Sequence, residues 1–361
     1  MIRHTVPARV GLLGNPSDGY EGRTLALAVP HFSAVVEVEE ADGVEIVPGP
    51  ADAATWPSVA AMVEHVDHFG YGTGSQLLTA AVRTFVDVAG SLDIPVAWGF
   101  RISYQTTIPR QVGLGGSSAL VLATLRGLCQ LHEVEVPEPV LPSIALRAET
   151  AQLGISAGLQ DRVAQTYGGL VAMDFGQLAL DARFGVRYGH YERLDPSSLP
   201  PLFLAHRAAA AEPSDTYHQQ LRARYEAGDP VVRETLRELA ALVLEGRAAL
   251  RWGDQARFAR LIGRNMALRT ALGPLPEEQL ELVELASGRN APATFAGSGG
   301  AVVGAVEDDR QAAALAADYE EAGAEFVLLD PREAEEPADG TSPADEVPAN
   351  VVTLDRGRAG A

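Results

Sequence analysis

The chain has 361 residues, 47% of them hydrophobic, and a formal net charge of −20. It is long enough for one large or two ordinary domains, and its acidity excludes a broad nucleic-acid-binding face. It has no run of about 18 apolar residues and no apolar secretory core at its start. With a single cysteine, Cys129, it is expected to be cytoplasmic, without membrane spans, a disulfide framework or a multi-cysteine metal site.

All 28 basic residues are arginine. That excludes a lysine-dependent phosphate loop of the Gly-Lys-Ser/Thr kind. A phosphate clamp in this chain must use arginine, backbone N–H groups and a metal ion.

In chain order, residues 9–13 (RVGLL) read as a short strand ending at Gly14. The polar turn after it carries Asn15, Ser17, Asp18 and Tyr20. Ligand-binding groups commonly sit on such strand-end loops, and the same Asn-Pro-Ser-Asp-Gly is also ordinary turn chemistry. Residues 24–29 and 34–39 read as two further strands, the second alternating apolar with acidic residues. A helix is expected over 75–89 and a strand over 96–103. Trp56, Trp98 and, further on, Trp252 read as core or half-buried aromatics.

The strand over 96–103 leads to Ile108-Pro-Arg-Gln-Val-Gly-Leu-Gly-Gly-Ser-Ser-Ala119. Gly113, Gly115 and Gly116 free the backbone to aim several N–H groups into one cavity. The helix expected over 117–132 adds its free N-terminal N–H groups and positive dipole end. Ser117 and Ser118 add hydroxyls suited to phosphate oxygens or magnesium. The natural guest is a polyphosphate; the competing reading is a tight strand-to-helix turn with serine N-caps. A helix over 138–152 and a strand over 168–174 follow.

The second half begins near Leu202. Helices are expected over 214–227, 230–250, 254–271, 277–288 and 309–322, and strands over 293–295, 301–306 and 325–329. Strands and helices mix without regular alternation, which predicts an α+β fold of two domains, 1–195 and 196–330, meeting at a cleft. Pro196, Pro200 and Pro201 cluster at the boundary. A second small-residue loop, Phe295-Ala-Gly-Ser-Gly-Gly-Ala-Val-Val303, lies between two strands and alone reads as a hairpin turn. Residues 331–361, rich in Glu, Asp, Pro and Ala, are expected to form a disordered acidic tail.

Taken together, the three loops resemble the GHMP kinase family, named for galactokinase, homoserine kinase, mevalonate kinase and phosphomevalonate kinase. That family carries a strand plus substrate loop, then Pro-x-x-x-Gly-Leu-Gly-Ser-Ser-Ala, then a Gly-rich loop near the C-terminus. All three occur here in order, and the resemblance covers roughly residues 7–330. Within the family, RVGLLGNPSDGY, IPRQVGLGGSSAL, GLQDRVAQTYGGLVAMDF and FAGSGGAVV look like the glucuronokinases, which are sugar-acid 1-kinases. The resemblance implies a two-domain GHMP kinase fold with the active site in the cleft. It also implies ATP- and Mg2+-dependent phosphorylation of an anomeric hydroxyl, with D-glucuronate as the first acceptor. Galacturonate, galactose, fucose or a heptose phosphate are alternative acceptors, and a non-catalytic sugar/ATP sensor is the reading from another class.

The same resemblance implies residue roles. Asp161 matches the catalytic aspartate, and Arg9 matches the basic residue that holds it ionised. Gly113, Leu114, Gly115, Gly116, Ser117, Ser118 and Ala119, with Gly297, Ser298 and Gly299, match the ATP-binding loops. Ser118 and Glu149 match the magnesium ligands, and Asp18 looks like the sugar-binding aspartate. Asn15, Ser17, Tyr20, Gln160 and Arg162 are further substrate candidates. Arg110 departs from the family pattern and suits either the uronate carboxylate or the ATP phosphates. Apart from the resemblance, Asp161 reads as a surface acid paired with Arg162, and Glu149 as a solvated helix charge beside Arg147. Residues 71–76 are a candidate adenine loop, and Arg224 and Asn265 are candidates for the cleft. No coiled coil marks an oligomer interface.

Overall fold

The computed structural model of the protein describes residues 1–49, 74–96, 99–207 and 214–335. Trp56, Trp98, positions 71–73 of the candidate adenine loop and positions 336–361 of the expected tail lie outside the described residues. The first residues of that tail, Pro331–Glu335, form a short 3-10 turn.

A six-stranded sheet organises the first half. Strands β1 (Ile2–Leu13) and β2 (Arg23–Ala41) form a long antiparallel pair, from Ile2↔Val38 to Leu13↔Leu25. The first part of β2 also pairs with β5 (Leu170–Asp181), and its second part with β4 (Gly99–Thr106). Strand β3 (Val44–Ile46) runs parallel to β4, and β6 (Val186–Leu194) antiparallel to β5. The two strands expected over 24–29 and 34–39 are thus one ribbon. Residues 30–32 bulge between the Ala8↔Val29 and Pro7↔Ser33 pairs, where Pro30 has no N–H to give the ladder.

Helices α1 (Gly74–Ser91), α2 (Gly116–Leu131), α3 (Leu141–Arg147) and α4 (Gln160–Tyr167) pack with this sheet. Helix α2 lies on β1 and β2 and is buried over most of its circumference, as its nearly all-apolar sequence requires. It passes so close to the sheet that a Cβ at Gly127 would lie 2.6 Å from Val38 Cγ2. The helix expected over 138–152 is α3 followed by a π-helical turn, Ala148–Gln152.

The second half carries a four-stranded antiparallel sheet in the order β10 (Glu325–Leu329), β7 (Leu202–His206), β9 (Ala301–Ala305), β8 (Ala293–Phe295). Helices α7 (Gln255–Leu272), α8 (Glu277–Gly288) and α9 (Asp309–Glu321) pack on this sheet, whereas α6 (Pro230–Arg251) packs on α7 and on β1 and β2 of the first sheet, and α5 (Ser214–Glu226) packs on α6. Asp229, Asp254 and Asp308 each accept backbone N–H bonds as N-caps of α6, α7 and α9, a contribution of about 1 kcal/mol apiece. Trp252, expected to be at least half-buried, is 82% exposed at the end of α6. It follows the last helical turn and no core lies beneath it.

One apolar core runs through both halves, joining Val6, Leu12 and Leu27 to Leu236, Val243, Phe258 and Val303. This shared core fixes the loops of the first half against the β8–β9 loop of the second. Among the described residues no helix is long and apolar enough to cross a membrane.

Candidate active site

Arg9 on β1 ties Asp161, at the start of α4, to the second and third loops. Its Nε donates to Asp161 Oδ1 at 2.8 Å and its Nη2 lies 2.7 Å from Asp161 Oδ2. Its Nη1 donates to Gly113 O at 2.6 Å and Ala296 O at 3.2 Å. The side chain is 5% exposed and that of Asp161 26%. A bidentate guanidinium–carboxylate pair fixes both position and charge. Asp161 therefore pairs with Arg9, across 152 positions of sequence, and not with its neighbour Arg162.

The glycine loop is a cradle at the head of α2. Gly113 and Gly115 have φ of 72° and 77°, values that suit only glycine at low cost. Gly115 is the N-cap of α2, and no side chain caps that end. The first N–H groups of the helix therefore have no intrahelical acceptor, and with the dipole they are suited to an anion. Leu114 and Ala119 are buried and anchor the loop to the core. Gln165 Nε2 donates to Gly115 O at 2.7 Å and Pro7 O at 3.0 Å.

The third loop braces the second. A Cβ at Gly113 would lie 2.9 Å from Ser298 N and 2.9 Å from Gly299 O, and one at Gly297 only 2.1 Å from Gly113 O. Gly297 and Gly299 are buried and press on the cradle backbone to backbone. Arg269, fully buried on α7, donates to Gly297 O at 2.8 Å and stacks 5.2 Å from the Phe295 ring. Its position on a distant helix gave no sequence signal. Gln165 did have one: it is four residues beyond Asp161, on the same face of α4.

Glu149 is buried to 1% exposure in the π-helical turn, so it is not a solvated charge beside Arg147. It accepts a 2.8 Å bond from Ser117 Oγ and forms a buried ion pair with Arg162. Ser118, expected beside Glu149, instead donates to Gly115 O at 3.0 Å. Consecutive helical residues point about 100° apart. Ser118 faces the core at 1% exposure, which leaves Ser117 toward Glu149. The extra glycine at 116 shifts the serine pair by one place relative to the family pattern. Arg162 is likewise not a surface contact: it is 2% exposed and also donates to Gly158 O at 2.6 Å.

Asp18 lies beside the start of α4, its Oδ2 accepting from Gln160 N at 3.2 Å. A Cβ at Gly158 would meet that oxygen at 2.1 Å, so glycine is needed there. Burial first, and then the charge of Asp161, push the Asp18 carboxyl up to about 6, against the opposing pull of the Gln160 N–H and Arg9. Asn15 and Gln160 are buried around Gly11, and Gln160 Oε1 has no hydrogen-bond partner among the described residues. Ser17, expected to face a substrate, is fully buried and donates to Arg23 O at 2.8 Å, so it shapes the turn. Tyr20 packs on Tyr225 of α5 with ring centroids 4.7 Å apart. Arg110 is half-buried in the turn that opens the glycine loop. Asn265 is buried and accepts from Gly14 N at 2.8 Å, and Arg224 pairs with Asp229; both hold the scaffold.

Residues 76–169 match the family described as GHMP kinases N terminal domain, and residues 229–325 match GHMP kinases C terminal. The chain is 40% identical over 311 residues to Glucuronokinase 1 of Arabidopsis thaliana, covering 84% of each. It belongs to the GHMP kinase family. Probable glucuronokinase 2 of the same plant is 40% identical over 313 residues, again 84% of each chain. The galactokinase of Lactococcus lactis, solved with galactose, shares the fold with this GHMP kinase at a TM-score of 0.69. The match covers 91% of this chain and 92% of that one, at 17% identity. The expected two-domain family fold is therefore the observed one, with Asp161 and the two glycine loops meeting at Arg9.

Proposed function

We propose that this GHMP kinase is an ATP-dependent sugar-acid 1-kinase that converts D-glucuronate to D-glucuronate 1-phosphate. The reading is carried by the 40% identity to a glucuronokinase over 84% of both chains. It agrees with the paired Arg9 and Asp161 next to Asp18. The two-domain division at 195/196 and a cytoplasmic location are part of the same proposal.

Asp161 orients the anomeric hydroxyl and takes its proton as that oxygen attacks the γ-phosphorus; ADP departs with the electrons of the broken P–O bond. The bidentate bond from Arg9 fixes the position and charge of Asp161, so placement and charge outweigh proton abstraction. The glycine cradle and the head of α2 hold the phosphates. Glu149 and Ser117, one carboxylate and one hydroxyl brought together, are donors that would hold a magnesium ion. No larger cage of acidic, His or Cys side chains gathers among the described residues. When bound, the ion neutralises triphosphate charge.

The decisive assay is ATP, magnesium and a panel of sugars and sugar acids, with products read by NMR. Glucuronate phosphorylated at the anomeric oxygen is the expected result. Turnover of neutral sugars alone would leave a sugar kinase but remove the sugar-acid assignment.

Ser117→Ala is expected to raise the magnesium concentration needed for half-maximal rate about tenfold, whereas Ser118→Ala should leave it unchanged. Glu149→Gln should act on the same requirement, non-additively with Ser117→Ala, and also lower stability because Arg162 stays buried without its partner. A metal titration in which Ser118→Ala, and not Ser117→Ala, shifts the midpoint would refute this assignment.

Asp18 sets an acid limb. Its ordinary value of 3.8 is raised to about 6, so below pH 6 the free enzyme carries a neutral carboxyl, which accepts sugar hydroxyls poorly. kcat/KM for the sugar should fall as pH drops through 6, and Asp18→Asn should flatten that limb at a lower plateau. The linkage has a definite sign. A raised folded pKa means a contribution to stability that is full below 3.8 and lost as pH rises through 6. Asp18→Asn should therefore melt at a higher temperature than the parent at neutral pH. A wild-type profile flat between pH 5 and 7 would contradict this.

A further inference from the structure

The sugar end of the site is short of positive charge. Arg9 is held by Asp161, Arg162 by Glu149, and Arg23 by Asp174 at 2.7 Å. Asp18 and Asp161 remain close together, and among the described residues the Arg9 guanidinium is the cation that acts on Asp18. An anionic acceptor entering this corner meets one excess negative charge, and the chain's overall acidity gives it no long-range attraction.

Arg222 on α5 is placed to change that balance. Its guanidinium carbon lies 4.8 Å from the centre of the Tyr20 ring, and its Nη2 would be 3.6 Å from a Cβ at Gly19. It is exposed and forms no ion pair among the described residues. Tyr20, wedged against Tyr225 of the same helix, presents a flat face for the guanidinium. Stacking there fixes the guanidinium plane and leaves its N–H edge available. Gly19 puts no side chain between that edge and the neighbouring Asp18.

We propose that Arg222 is the specificity residue that takes the carboxylate of the sugar-acid acceptor, a role that rests on the sugar-acid reading above. Asp161 marks the reacting hydroxyl, Asp18 marks the middle of the ring, and Gly19 leads from Asp18 to Arg222. In a uronate the anomeric carbon and the carboxylate-bearing carbon flank the ring oxygen. A ring seated with its reacting end at Asp161 can therefore turn its carboxylate to the Tyr20–Arg222 side. The planar fork matches a carboxylate with two parallel bonds.

The test compares the parent enzyme with Arg222→Met, Arg222→Lys and Arg110→Met, using D-glucuronate and D-glucose as acceptors. Arg222→Met should raise KM for glucuronate about 30-fold while kcat stays within about threefold. KM for ATP and activity on glucose should not move. Arg222→Lys should recover part of the loss, since the charge remains and the fork is gone. Isothermal titration of glucuronate without ATP should show the same ranking. An unchanged glucuronate KM, an equal loss on both sugars, or a loss confined to Arg110→Met would each overturn the assignment to Arg222 while leaving the sugar-acid kinase intact. A parent enzyme that ignores glucuronate would overturn the sugar-acid reading and this role with it.

Discussion

Arg9→Met should destabilise the protein by about 3–5 kcal/mol and abolish measurable turnover. Methionine fills the space of the arginine stem but donates nothing. Gly113 O then loses its 2.6 Å donor inside the fold, and Asp161 loses both of its guanidinium bonds. Ala296 O fares better, because Gly11 N still donates to it at 2.7 Å. The cradle and its brace are no longer tied to Asp161, the residue proposed to orient the acceptor. Arg9→Lys should restore a charge and some stability but little activity, because a single ammonium cannot serve a carboxylate in bidentate fashion and two carbonyls together. Urea denaturation and steady-state kinetics on the three proteins check this. An Arg9→Met enzyme as stable as the parent would show that the junction contributes little to the fold.

Asp161→Asn is expected to leave the fold nearly intact and to lower kcat by about 10²-fold or more. Asparagine keeps one oxygen that can accept from Arg9 Nε, and the residue is partly exposed, so the structural loss is modest. The chemical loss is larger. The amide cannot receive the hydroxyl proton and carries no charge against the attacking oxygen. KM for ATP should change by less than about threefold, since the phosphate cradle is untouched. Turnover within a few-fold of the parent would remove Asp161 from the reaction.

The sequence patterns and the structure agree best where a local rule operates. The expected spans of α6, α7 and α9 agree with the structure within a residue or two, and the glycine loops stood out because only glycine tolerates their backbone. The family fold and the Arg9–Asp161 pairing were legible through the three motifs together. What was hidden depends on three-dimensional neighbours. Helix α4 is short and polar by composition, and β6 is an edge strand with mostly half-exposed residues, so neither announces itself. The serine facing Glu149 was misplaced because one inserted glycine rotates the pair on α2, a shift that spacing alone does not reveal. Arg222 sits on a helix with a weak apolar pattern. Its interest arises only when α5 is seen against Tyr20.

The Arg9 junction bears on how the enzyme is born. Residue 9 bonds to residue 296, a separation of 287 positions along the chain. A ribosome must therefore make most of the polypeptide before the two can meet, and closing so large a loop is an entropic cost that only the finished core offsets. The N-terminal β1–β2 ribbon can form early, yet it holds a charged guanidinium whose carbonyl partner has not been synthesised. Until the β8–β9 loop emerges, that arginine must stay hydrated. Catalytic competence thus arrives as a property of the completed chain.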